Sequence, residues 1–120
     1  MKRNVLLVED ERELRELWCE LLSANGCSVT VAETVGQARQ ALLGRDTPFD
    51  LALVDWTLPD GLGSEVIGLG RGLGGFRASV VTSGLGNRLP AGHGADAVLA
   101  KPFRVQDLLD LMERLCPTAT

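Results

Sequence analysis

Apolar residues recur along this chain in five short runs, each followed by a longer stretch of mixed polarity. The runs are Asn4 to Val8, Cys27 to Ala32, Asp50 to Val54, Ala78 to Thr82 and Ala97 to Ala100. The first, third and fifth are apolar almost throughout and bounded by polar residues or glycine, as strands covered on both faces should be. The second places Cys27, Val29 and Val31 at alternate positions, which predicts a strand half exposed at a sheet edge.

The intervening stretches carry helical spacing. Leu14, Trp18, Leu21 and Leu22 fall at i, i+4, i+7 and i+8, while Glu11, Arg12, Glu16 and Glu20 take the other faces. Gly26 is a natural stop for that helix. Thr34 can cap a second helix carrying Val35, Ala38, Ala41 and Leu42 and ending near Gly44. A last helix shows Val105, Leu108, Leu109, Met112 and Leu115, and Pro117 forbids its continuation. The middle is less regular. Glycines crowd positions 61, 63, 68, 70, 72, 74 and 75, each costing about 0.5–1 kcal/mol relative to alanine in a helix, so a third helix is expected to be short or frayed. From Gly84 to Gly94, with Pro90 and little periodicity, a fourth should barely form.

Strand and helix alternating five times in 120 residues imply an α/β fold. A parallel sheet with helices on both faces and right-handed crossovers follows. In such sheets ligands sit beyond the C-terminal strand ends, where the strand order reverses.

Length adds that the chain is one domain, large enough to hold together without disulfides or a structural metal. The longest apolar runs are far too short to span a bilayer, and Met-Lys-Arg-Asn leads straight into a strand, so no secretory signal is expected. Cys19, Cys27 and Cys116 are odd in number and lack Cys-x-x-Cys spacing. They read as small buried hydrophobes in a reducing, cytoplasmic setting. A net charge of −4 argues against a direct grip on nucleic acid.

The residues that follow the inner runs carry the chemistry. Val5 to Val8 delivers Glu9 and Asp10, Leu51 to Val54 delivers Asp55, Val80 to Thr82 delivers Ser83, and Ala97 to Ala100 delivers Lys101. Three carboxylates within roughly 4 Å repel by on the order of 4 kcal/mol per pair at an effective dielectric near 20, so they take up protons or a cation. An all-oxygen set with room for water and phosphate oxygens suits Mg²⁺ better than zinc. A free carboxylate could then attack phosphorus while an ammonium and a hydroxyl hold phosphoryl oxygens. Taken singly, each residue has a plainer reading: a helix start at Glu9-Asp10, turns at Asp55 and Ser83, a solvated amine at Lys101. The set of strand ends is what those readings leave unexplained.

Together these residues resemble the receiver (response-regulator) family of two-component signal transduction, over essentially the whole chain, residues 1–120. The motifs are Val8-Glu9-Asp10, Asp55-Trp56-Thr57-Leu58-Pro59-Asp60-Gly61-Leu62-Gly63, Thr82-Ser83-Gly84, and Gly94-Ala95-Asp96 running into Lys101-Pro102-Phe103. The resemblance implies a flavodoxin-like receiver fold, a five-stranded sheet in the order 2-1-3-4-5. It implies a phosphorelay in which Asp55 becomes an aspartyl phosphate. Asp10 is then a direct Mg²⁺ ligand, Glu9 a ligand through water, and the Thr57 carbonyl a third contact. Ser83, ahead of Thr82, takes the role of switch hydroxyl. Lys101 pairs with the phosphate and precedes a cis peptide at Pro102, and Thr57 and Leu85 stand where the family tunes hydrolysis. The implied partners are a sensor histidine kinase or phosphotransfer protein and a downstream effector protein or domain. The domain is expected to be a monomer or weak dimer, with no direct nucleic-acid or membrane contact, and to act on its own phosphorylation rather than as an enzyme.

Three features depart from the family. Val98 stands where Tyr or Phe is frequent, the stretch from Ser83 to Gly94 is about a helical turn short, and Arg104 replaces a capping Ser or Asp. Two alternatives follow. A haloacid-dehalogenase-like phosphatase also uses a strand-end aspartate with Mg²⁺, but would carry a second carboxylate at the place of Thr57. A degenerate receiver serving only for docking would be expected to lose an acidic residue or the lysine. Of the remaining polar and aromatic residues, His93 reads as a solvated side chain in a loop, Trp18 as core, and Trp56 as a residue at the rim of the site or under a loop.

Overall fold

The computed structural model describes residues 2–84 and 88–117. Its elements run β1 (Arg3–Val8), α1 (Arg12–Ala24), β2 (Cys27–Ala32), α2 (Val35–Leu43), β3 (Phe49–Asp55), β4 (Thr57–Leu58), β5 (Gly61–Leu62), α3 (Gly63–Leu73), β6 (Phe76–Ser83), β7 (Ala97–Ala100) and α4 (Val105–Leu115). The five long strands form one parallel sheet in the order β2-β1-β3-β6-β7. That is the expected 2-1-3-4-5 order, once the two-residue antiparallel ribbon β4–β5 is set aside.

Alternate residues of each strand feed two cores. Val5, Leu7, Leu51, Leu53 and Val80 meet Trp18 and Leu22 of α1 and Leu108 and Met112 of α4. Leu6, Val8, Ala52, Val54 and Val81 meet Ala38 and Leu42 of α2 and Val66 and Ile67 of α3. Each fully buried aliphatic side chain of this kind contributes about 1.5–3 kcal/mol. The second run is the edge strand expected, with Cys27 buried and Val31 47% exposed. Trp18 is core, and its ring stacks on Phe103 with centroids 4.5 Å apart.

The helix ends follow from local chemistry. Thr34 Oγ1 accepts from the Gln37 N–H at 3.0 Å. Asp60, in the turn between β4 and β5, accepts from the Val35 and Gly36 N–H groups at 2.7 and 3.1 Å. At α4, where Arg104 cannot cap, Asp107 reaches back to accept from the Arg104 N–H at 3.0 Å.

One expectation is overturned. The third helix is neither short nor frayed: α3 spans eleven residues, with Glu65 accepting from the Leu62 N–H at its start and Gly74 at φ 65° as its left-handed stop. Two glycines that looked like breakers are points of close approach. A Cβ at Gly63 would lie 2.6 Å from the Asp55 carbonyl oxygen, and one at Gly70 would lie 1.8 Å from the Phe76 ring. The fourth helix follows the expectation: the described part of the β6–β7 connection contains no α-helix. Leu85 lies outside the described residues.

Candidate functional site

The strand order reverses between β1 and β3, the two strands that carry the carboxylates. β1 ends at Val8, and Glu9 remains tied to the sheet through its N–H, which donates to the Ala32 carbonyl at 3.0 Å. β3 ends at Asp55, whose register partner on β6 is Thr82. Ser83 and Ala100 form the last register pair of β6 and β7, and the Lys101 N–H donates to the Ser83 carbonyl at 2.8 Å. The peptide between Lys101 and Pro102 is cis. The sequence-derived residues are thus set on neighbouring strand ends by continuous backbone pairing.

One carboxylate oxygen from each of Glu9, Asp10 and Asp55 lies within 4.8 Å of the other two. Glu9 is buried, Asp55 partly buried and Asp10 exposed. Lys101 Nζ lies 3.0 Å from Glu9 Oε1 and 3.1 Å from Asp55 Oδ2. Burial of this ammonium works against its charge. The hydrogen bond to Glu9 and the negative charge of Asp55 more than reverse that effect, raising the lysine pKa above its ordinary value.

Ser83 and Thr82 are both buried at this edge. Thr57 lies on the ribbon, its N–H 3.4 Å from Asp55 Oδ1 and its side chain exposed. The ribbon is closed by Gly63, whose N–H donates to the Trp56 carbonyl at 2.7 Å. Trp56 itself packs into the core at 8% exposure rather than standing at the rim. His93 is a loop residue whose Nδ1 accepts from the Ala95 N–H at 3.0 Å.

The donor set fits a hard divalent cation. One ammonium answers three carboxylates, so the edge keeps uncompensated negative charge, and every available donor is oxygen. The sequence reading missed one contributor. Arg15, on the first turns of α1, sends Nη1 to the carbonyls of Glu9 and Asp10 at 3.2 Å each. The same guanidinium pairs with Glu33 Oε1 at 3.3 Å. Its position one to two turns after an acidic pair was the available signal, hidden among the other charges of that helix.

Comparison with known proteins agrees with this geometry. A family model described as response regulator receiver domain matches residues 5–113. The phosphate regulon transcriptional regulatory protein PhoB of Klebsiella pneumoniae is 33% identical, aligned over 99% of this chain and 56% of its own length. The chain spans about half the length of several curated relatives it matches. Among solved structures, the non-phosphorylated HemR receiver domain from Leptospira biflexa is 27% identical with a TM-score of 0.81, covering 99% of this chain and 98% of that one. A sensor histidine kinase receiver domain from Pseudomonas aeruginosa, with a magnesium ion in its active-site cleft, shares the fold at a TM-score of 0.84 and 24% identity, covering 98% of this chain and all of that one.

Proposed function

The chain belongs to the response regulator receiver family, and from that premise we propose that Asp55 accepts a phosphoryl group from a phosphohistidine on a sensor kinase or phosphotransfer protein. The observation that carries this reading is the Lys101 ammonium held between Glu9 and Asp55 at 3.0 and 3.1 Å, beside three converging carboxylates.

The side chains of Asp10, Asp55 and Glu9 and the carbonyl of Thr57 are the groups that would hold Mg²⁺, and the bound ion would supply positive charge to the phosphoryl oxygens. A carboxylate oxygen of Asp55 attacks phosphorus in line; the P–N bond breaks and the imidazole nitrogen of the donor keeps the electron pair. Lys101, already at Asp55, pairs with a phosphoryl oxygen, and the Ser83 hydroxyl offers it a hydrogen bond. The aspartyl phosphate replaces one negative charge by roughly 1.5–2. The stronger pull on Lys101 and Ser83 biases a two-state equilibrium toward the signalling form. Thr57 supplies no second carboxyl, so the domain is expected to govern its own phosphorylation and dephosphorylation and not to turn over added phosphoesters. An effector domain or protein reads the change, and residues 1–120 act as one receiver domain.

Incubation with acetyl phosphate and Mg²⁺ tests the reading. The wild-type chain should gain one phosphoryl mass, and Asp55→Asn should gain none. Labelling that persists in Asp55→Asn would refute the assignment.

A further inference from the structure

We infer that Arg15 is a positioning residue for the acidic pair, its guanidinium fixing the Glu9 and Asp10 backbone so that their carboxylates converge on one cation. The inference rests on the reading of this edge as a Mg²⁺ site.

Glu9 and Asp10 lie beyond the last residue of β1 and need a restraint. Their carboxylates and that of Asp55 crowd within 4.8 Å, and like charges at that distance drive the loop apart. Sheet pairing reaches the Glu9 N–H and goes no further along the strand. Both following carbonyls are taken by Arg15 Nη1 at 3.2 Å. Holding two successive carbonyls fixes the peptide planes on either side of Asp10, and so the direction from which its side chain leaves. Glu33 anchors the guanidinium from the β2–α2 connection at 3.3 Å, and the Arg15 side chain is only 13% exposed. The neighbouring helix cation gives a contrast: Arg12 pairs with Glu16 in solvent, its side chain 81% exposed.

The sign of the effect separates positioning from charge. A cation acting only through its field opposes a second cation nearby, so its removal would tighten Mg²⁺ binding. A positioning residue does the reverse, and groups that orient metal ligands typically weigh about ten-fold or more in affinity.

The test is calorimetric titration of the full chain with MgCl₂, with melting in EDTA and circular dichroism alongside. Arg15→Ala and the bulkier Arg15→Gln are expected to bind Mg²⁺ about ten-fold more weakly with unchanged secondary structure, and Arg15→Lys to fall between Arg15→Ala and wild type. Equal or tighter binding in Arg15→Ala and Arg15→Gln overturns the inference, as does a lower melting midpoint with unchanged affinity. A wild-type chain that takes up no Mg²⁺ overturns the metal reading itself, and this inference with it.

Discussion

The acid–lysine edge, which takes Lys101 from the end of β7, and the connection from β6 that leads into β7 flank the same strand, yet they are held in different ways. At the edge, ion pairs come first: Lys101 bridges the carboxylates of Glu9 and Asp55, and Arg15 donates to the carbonyls of Glu9 and Asp10 behind them. In the connection, charged side chains hold mainly backbone and neutral groups, and the one ion pair there among the described residues, Arg71 with Asp96, is longer at 3.5 Å. Asp96 accepts from the Ser79 N–H at 2.8 Å and from its hydroxyl at 3.3 Å, while Arg71 donates to the Gly94 carbonyl. Gly92 and Gly94 take φ values of 83° and 87°. The covering differs as well: six of the eight residues of β6 are buried, and none of the four in β7. Val98 is partly exposed, between Ala97 and Leu99, which pack against the core formed with α1 and α4. The lesson is that the candidate site is assembled from strand ends, while the neighbouring face is set by a separate group of contacts.

That contrast can be broken by substitution. The largest effect is expected at the edge. Lys101→Met leaves Glu9, 4% exposed, without its cation, and should cost about 2 kcal/mol in urea unfolding. Millimolar Mg²⁺ should return most of that loss by binding the folded state. A variant as stable as wild type in EDTA would show that charge does not hold this edge. A smaller effect is expected in the connection: Asp96→Ala should cost about 1 kcal/mol, with Mg²⁺ affinity unchanged. A parallel loss of affinity would mean that the two regions are coupled.

The smallest effect belongs to Asp60, which is fully exposed. Hydrogen bonds from the Val35 and Gly36 N–H groups lower its pKa below the ordinary 3.8. A depressed carboxylate pKa contributes stability above the unfolded value and loses it as the pH falls through the folded one. Asp60→Ala should therefore melt slightly below wild type at pH 7, with the gap closing in melts below pH 3.8. A gap constant with pH would exclude the ionised carboxylate as its source.

Most of the fold and the site was legible in the sequence because parallel strands are continuous apolar runs, and each inner run ends on a residue with chemistry. What was not legible depends on contacts remote in sequence. Gly63 and Gly70 read as helix breakers, since local propensity cannot register that the Asp55 carbonyl and the Phe76 ring occupy the space of their missing side chains. The β4–β5 ribbon is two residues per strand, too short for any period. Arg15 looked like one more charge on a solvated helix face, because nothing in its spacing says that backbone carbonyls are its partners. Trp56, left open between the rim of the site and a place under a loop, is buried in the core cluster that also holds Leu58 and Val66.

The two ion pairs of Lys101 close loops of 92 and 46 residues. Such non-local contacts form only after the intervening chain has been ordered. A nascent chain that has not docked its last strand carries the aspartate but no ammonium beside it. On the proposed reading, the assembly of this edge therefore waits on the docking of β7.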